Sequence, residues 1–207
     1  MNCDSGAILV LSGPSGAGKS TLLNEVIYDI GESYFSISTT TRPIREGESN
    51  GIHYHFVSEE EFKQDIEDDM FLEYAYVHGN YYGTSIKPVK RALKAGKLVI
   101  FDIDVQGNAV VTSRLGDITT SVFISPPTLS ELQHRLEHRQ TDTQEVIDKR
   151  ILMAKKEIQR ICEYDYLIIN DDLEEAADIL RTIAKAARLK IPGNDINEFT
   201  QMWEDID

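Results

Sequence analysis

The sequence predicts an α/β fold with a three-layer, parallel-sheet core, a small and mostly antiparallel lobe, and a helical lid. Three observations predict it. Apolar runs at Ala7-Ile8-Leu9-Val10-Leu11, Leu98-Val99-Ile100-Phe101, Ser121-Val122-Phe123-Ile124 and Tyr166-Leu167-Ile168-Ile169 alternate with segments of helical periodicity. Residues 34–83 hold several short alternating runs around a single helical segment, which fits a lobe inserted into that core. Arg135, Arg139 and Arg150 surround a polar hinge between two core strands, placed to swing positive charge over a site.

The first element fixes the chemistry. Gly13-Pro14-Ser15-Gly16-Ala17-Gly18-Lys19-Ser20 completes the pattern G-x-x-x-x-G-K-S of a phosphate-binding loop (P-loop). It follows the apolar run at Ala7–Leu11 and opens a helix from Thr21, the strand–loop–helix context the pattern requires. Glycines at 13, 16 and 18 free backbone N–H groups to wrap a polyphosphate, and the helix adds its positive dipole end. Lys19 can reach the β- and γ-phosphates, and the Ser20 hydroxyl suits Mg²⁺. A nucleoside triphosphate is expected here.

The lobe follows. Phe35-Ser36-Ile37-Ser38 reads as a strand, and Thr39 to Glu48 as a loop whose Arg42 and Arg45 could clamp a phosphate with guanidinium forks. On that segment alone, a solvated loop with charges of both signs is the stronger reading. Gly51–Val57 alternates like a strand, and Ser58-Glu59-Glu60-Glu61 is a capping box opening a helix to about Asp69. Phe71–Val77 is strand-like, Gly79-Asn80 marks a turn, and Thr84 or Ser85 caps a helix ending at Gly96. His53, His55 and His78 form no ligand-like constellation.

Core elements resume at Lys97–Asp104, where period-2 geometry puts Asp102 and Asp104 on one side of the strand's carboxyl end. One acid can face the site and hold a metal, directly or through water, while the other caps the next helix. Thr128-Leu129-Ser130-Glu131 is a second capping box, opening a helix to about His138. A helix over about 143–162 follows, and Asn170-Asp171-Asp172 caps another that runs to about Leu189.

Composition narrows the function. The 207 residues carry 35 acids against 21 lysines and arginines, a net charge of −14. That argues against a nonspecific nucleic-acid or membrane-surface binder, though local basic residues suffice for a nucleotide enzyme. Cys3 and Cys162 lack metal or redox spacing and fit a reducing cytosol. Residues 1–6 are too short and polar for a signal peptide, and no run approaches membrane-spanning length. A soluble, cytoplasmic, single-domain protein is expected.

The blocks together resemble guanylate kinases. The resemblance rests on the phosphate loop, on Ser38-Thr39-Thr40-Thr41-Arg42 through Arg45-Glu46-Gly47-Glu48, on Gly51 with Tyr54-His55-Phe56-Val57, and on Phe71-Leu72-Glu73 with Gly79-Asn80-Tyr81-Tyr82-Gly83-Thr84. Asp102-Ile103-Asp104-Val105-Gln106-Gly107, Pro126-Pro127, Arg135-Leu136, Arg139, Asp142, Arg150 and Asn170-Asp171-Asp172-Leu173 extend it over roughly residues 7–190, in order. Pro43 stands one place earlier than the family's usual proline, and Gln140 replaces the usual lid glycine. The resemblance implies Mg²⁺-dependent transfer of the ATP γ-phosphoryl group to GMP, and to dGMP, without a covalent enzyme intermediate.

It also implies roles. Gly13 through Ser20, with Thr21, Arg135 and Asn170, would hold ATP, and Ser20 with Asp102 would serve the metal. Arg42, Arg45, Tyr54 and Tyr82 would hold the GMP phosphate, while Ser38, Glu73, Thr84 and Asp104 surround guanine. Lys19, Arg42, Asp102, Arg139 and Arg150 would carry catalysis. The implied layout is a core of 1–33, 84–125 and 163–190, a GMP-binding lobe at about 34–83 and a lid at about 126–162. Two other readings are weighed: a peptide-binding scaffold module, disfavoured by the intact Lys19 and Ser20, and a kinase for another nucleoside monophosphate. The acidic tail at 191–207 carries Ile196, Phe199, Trp203 and Ile206 at helical spacing, so it packs on its own domain or meets another subunit.

Overall fold

A computed structural model describes residues 6–77, 79–138, 143–190 and 203. His78, Cys3, Arg139, Gln140, Asp142 and the tail apart from Trp203 lie outside the described residues.

Strand β1 (Ala7–Ser12) runs into the glycine loop, and helix α1 (Lys19–Val26) leaves it. β2 (Ser33–Phe35) is followed by β3 (Thr39–Thr40), β4 (His55–Phe56) and helix α2 (Glu59–Glu67). β5 (Phe71–Val77) and β6 (Asn80–Ser85) lead into α3 (Ile86–Lys94). β7 (Leu98–Asp102), α4 (Val105–Leu115) and β8 (Thr119–Ser125) return to the core. α5 (Leu129–His138) and α6 (Gln144–Glu157) form a hairpin, and β9 (Tyr166–Ile169) and α7 (Leu173–Ala187) close the described fold.

The core sheet has the order β2-β7-β1-β8-β9 and every pairing in it is parallel. Its central strand β1 is buried throughout, because alternate residues feed opposite layers. Ala7, Leu9 and Leu11 pack with α1 and α7, while Ile8 and Val10 join Val89, Val99, Phe101 and Val111 on the α3 and α4 side. The second sheet has the order β4-β3-β6-β5, antiparallel except where β3 meets β4. A third cluster, Leu132, Leu136, Ile147 and Ala154, holds the α5–α6 hairpin.

Several expectations shift in detail. The second strand sits earlier than Phe35–Ser38: β2 pairs through Phe35, and Ser36 N–H donates to Ile100 O at 2.9 Å before the chain leaves the core sheet. Thr39 and Thr40, read as loop, instead pair with both β4 and β6. Of the run Gly51–Val57 only His55 and Phe56 are strand; Gly51, at φ 77°, turns the chain so that its N–H meets Tyr54 O at 2.8 Å. Asn80, read with Gly79 as a turn, instead begins β6, which runs through Tyr81–Thr84 to Ser85 against β5. The lobe sheet therefore runs through Ser85, and the core sheet claims residues as far as Phe35.

The caps divide similarly. Ser58 and Glu61 close their box reciprocally, at 3.1 and 2.8 Å. Glu131 N–H donates to Thr128 Oγ1 at 3.1 Å, but the Glu131 carboxylate accepts from Arg135 Nε at 2.6 Å instead of completing a box. The long helix expected over 143–162 gives way after Glu157 to a 3₁₀ segment, Ile158–Glu163.

Candidate active site

The carboxyl ends of β1 and β7 and the inner face of the second sheet enclose a cleft of about 440 Å³. The glycine loop forms one wall. Gly13, Gly16 and Gly18 hold φ of 138°, 98° and 91°, values open to glycine that let the loop wrap tightly. At Gly13 a Cβ would fall 1.9 Å from Ile124 O, so the neighbouring strand also requires glycine. α1 begins with no side-chain cap and no acid in its first turn, leaving its first N–H groups for an anion.

Lys19 Nζ donates to Gly13 O at 2.7 Å and lies 3.8 Å from Asp102 Oδ1, which holds the ammonium across the mouth of the loop. Gly13, Ser15, Gly16, Gly18, Lys19, Ser20 and Thr21 line the cleft; Pro14 and Ala17 do not. Ala17 is buried and its carbonyl accepts from Asn170 Nδ2 at 2.8 Å. Arg135 Nη2 in turn donates to Asn170 O at 2.9 Å. Asn170 and Arg135 thus brace the loop from behind. Arg150 crosses from α6 to donate to Ser15 Oγ at 2.9 Å, joining the helical hairpin to the loop.

The two acids after β7 separate as their geometry allows. Asp104 Oδ1 accepts from Gln106 N–H at 3.0 Å and Gly107 N–H at 2.8 Å, capping α4, while Asp102 faces Lys19. Both line the cleft.

The opposite wall comes from the lobe: Ser38, Tyr54, Glu73 and Tyr82. Glu73 is 7% exposed and accepts from Thr84 Oγ1 at 2.5 Å across the β5–β6 pair. Burial pushes its carboxyl up to about 7, the Thr84 hydroxyl opposes that rise, and the charge of Asp104 adds to it. Thr84 is itself fully buried behind Glu73 and does not line the cleft.

Arg42 is buried beneath the tyrosines. Its Nη2 donates to Glu48 Oε1 at 2.6 Å, its Nη1 to Pro43 O at 2.8 Å, and its guanidinium stacks 5.3 Å from the Tyr54 ring centre. Tyr54 and Tyr82 meet edge-on at 5.9 Å. Arg45 is exposed, and its backbone N–H donates to the other Glu48 oxygen at 2.8 Å. Glu48 therefore ties Arg42 to the backbone of Arg45, a pairing that its charge alone does not announce. The cleft also includes Ala75, Val77, Ile103 and Glu157, none of them expected. Ala75 and Val77 share Glu73's face of β5 at period 2, so alternation could have found them. Glu157, at the end of α6, had no such signal.

Ser20 and Asp102 line the same cleft and offer hard oxygen donors. Among the described residues no group of three or more His, Cys, Asp or Glu could cage a metal. That donor set fits Mg²⁺, which is held by few protein oxygens and completes its shell with phosphate and water.

A guanylate kinase family model matches residues 5–187. The chain is 75% identical over 206 residues to a guanylate kinase of Sulfurimonas denitrificans, covering 100% of both chains. It is 50% identical over 204 residues to one from Wolinella succinogenes, covering 99% of this chain and 95% of that one. The chain belongs to the guanylate kinase family. It is accordingly an enzyme, a nucleoside monophosphate kinase. The crystal structure of a guanylate kinase from Anaplasma phagocytophilum superposes with a TM-score of 0.77 at 31% identity, over 99% of this chain and 98% of that one. The parallel core and the mostly antiparallel lobe are thus the family's architecture.

Proposed function

We propose that this chain transfers the γ-phosphoryl group of ATP to GMP and dGMP in line, with Mg²⁺ and without a covalent enzyme intermediate. One observation carries the reading: the glycine loop and the buried Glu73 face each other across a single cleft. Glu73 suits guanine because an ionised carboxylate is acceptor-only and can take the N1 and N2 donors together, while Ser38 lies nearby to serve the base. Tyr54, Tyr82 and the Arg42 behind them form a polar, cationic end for the GMP phosphate. Arg45 completes that end in this reading.

Lys19 and the loop amides would hold the β- and γ-phosphates of ATP, with Thr21 on the same helix turn and Asn170 and Arg135 keeping the loop in shape. Ser20 and Asp102 would hold Mg²⁺, which neutralises charge on the phosphates. Arg150, and Arg139 from outside the described residues, would neutralise charge on the group in transit. Such transfer needs alignment and charge neutralisation rather than a protein nucleophile.

No helix among the described residues is long and apolar enough to cross a membrane. With the acidic charge, that supports a soluble cytoplasmic enzyme acting on small molecules and not on nucleic acid. The test is ADP release, coupled to a reporter, with GMP, dGMP, AMP, CMP, UMP and dTMP in turn, with and without Mg²⁺. GMP and dGMP should turn over, only with the metal. Comparable rates with AMP would overturn the substrate assignment.

A further inference from the structure

Strand β5 changes face once along its length. Against β6 its register sets Phe71 opposite Ser85, Glu73 opposite Thr84 and Tyr74 opposite Gly83. Two steps on β5 therefore meet one on β6, and Leu72 is the extra residue of a β-bulge. Side chains two apart on a regular strand share a face, yet Phe71 and Glu73 do not. Phe71 stacks on Phe62 of α2 at 4.4 Å and meets Tyr74 at 6.4 Å, while Glu73, Ala75 and Val77 line the cleft. The bulge separates them. Strict alternation from Phe71 would turn Glu73 toward α2 and out of the cleft.

Helix α4 grips that bulge. Gly107, Val111 and Arg114 stand at i, i+4 and i+7, one stripe of the helix, and each meets β5. Gly107 lies against the Glu73 carboxylate, where a Cβ would come within 3.1 Å of Oε2. Val111 shares a buried cluster with the Leu72 side chain. Arg114 Nη1 donates to Leu72 O at 2.7 Å. A bulge disrupts the ladder around its extra residue, so the backbone there takes partners from elsewhere, and Arg114 supplies a charged donor. Arg114 does not itself line the cleft.

We infer that Arg114 is a positioning residue for base recognition: by holding the Leu72 carbonyl it keeps the bulge that turns Glu73 into the cleft. The inference rests on Glu73 as the guanine acceptor, and it gives Arg114 no contact with either nucleotide. Without the tether, β5 relaxes toward regular alternation and the Glu73 carboxylate loses the alignment guanine requires. The glycine loop sits on other strands and keeps its shape.

The test compares Arg114→Ala and Arg114→Lys with the wild type, and repeats Arg114→Ala in a Glu73→Gln background. Saturation kinetics in GMP and in ATP are measured on the full chain. Arg114 is exposed, so Arg114→Ala should melt within about 2 °C of the wild type. It should raise the GMP KM roughly fivefold or more, with kcat and the ATP KM little changed. Arg114→Lys keeps a donor within reach of the carbonyl and should recover most of that loss. In the Glu73→Gln background, Arg114→Ala should change kcat/KM for GMP by less than about twofold, because its route to the base is already lost.

An unchanged GMP KM in Arg114→Ala would overturn the inference. So would a full-sized effect in the Glu73→Gln background, or a parallel rise in the ATP KM. Wild-type kcat/KM in Glu73→Gln would strike the base assignment itself, and the inference with it. A collapse in Glu73→Gln beside an indifferent Arg114→Ala strikes the inference alone.

Discussion

Thr84 Oγ1 donates to Glu73 Oε1 at 2.5 Å, from one lobe strand to the next, and so aims a buried carboxylate into the cleft. One Glu73 oxygen is thereby oriented, and the other lies against Gly107, where a Cβ would come within 3.1 Å of it. A carboxylate held this way, largely out of water, has its protonation coupled to whatever it binds.

That coupling gives a pH prediction. Burial raises the Glu73 carboxyl to about 7, so the free site becomes protonated as pH falls through neutrality. With guanine paired to the ionised carboxylate as proposed, GMP affinity should fall in the same direction. Between pH 8 and pH 6 the GMP KM should rise roughly tenfold, and GMP binding near pH 7 should release a proton to buffer. Glu73→Gln separates this from titration of the GMP phosphate, because its profile retains only the latter. A GMP KM flat from pH 8 to pH 6 would remove Glu73 from base recognition.

Lys19→Ala should cost on the order of a hundredfold or more in kcat with the fold intact, since a cation preorganised at the transferring phosphates is lost. Circular dichroism and steady-state turnover on the same preparation check both halves. Near-normal turnover would contradict the role assigned to the loop.

The arginines should divide by kinetic parameter. If Arg42 holds the GMP phosphate as proposed, Arg42→Ala, and Glu48→Ala which releases it, should raise the GMP KM by about tenfold with a smaller change in kcat. Arg150 touches the glycine loop at Ser15, so with ATP held there as proposed Arg150→Ala should act mainly on kcat. Saturation curves in both substrates decide it, and an unchanged GMP KM in Arg42→Ala would sink the clamp.

Gly13→Ala should be destabilising, because its φ of 138° and the Ile124 carbonyl at 1.9 Å exclude a methyl group. A cost of about 2 kcal/mol or more is expected. For a chain of this size that lowers the melting temperature by at least about 4 °C. A variant melting with the wild type would mean that the loop can relax at no cost.

The elements most legible in the sequence were those whose signal is local. β5 and β9 match the runs Phe71–Val77 and Tyr166–Ile169, because continuous or alternating apolar residues mark a strand wherever it lies. Ser58 and Asp172 cap as their side chains dictate. The glycine loop was legible because its chemistry is packed into consecutive residues. What escaped depends on partners distant in sequence. Thr39 and Thr40 become a strand only because β4 and β6 flank them, and Gly51–Tyr54 prefers its own turn over the ladder. Glu48 and Glu157 enter the site by tertiary placement, which no periodicity announces.

Guanine recognition through Glu73 is the claim on which the substrate assignment turns, and Glu73→Gln tests it most directly. Glutamine keeps the side chain's shape but replaces one acceptor with a donor, which would face the N1 or N2 hydrogen of guanine. Sites built to pair a substrate's polar groups discriminate by roughly ten-thousandfold, because a mismatch leaves buried groups unsatisfied. In Glu73→Gln, kcat/KM for GMP is predicted to collapse toward that scale while ATP binding, measured by calorimetry, stays at the wild-type value. Efficient phosphorylation of GMP by the variant would contradict it.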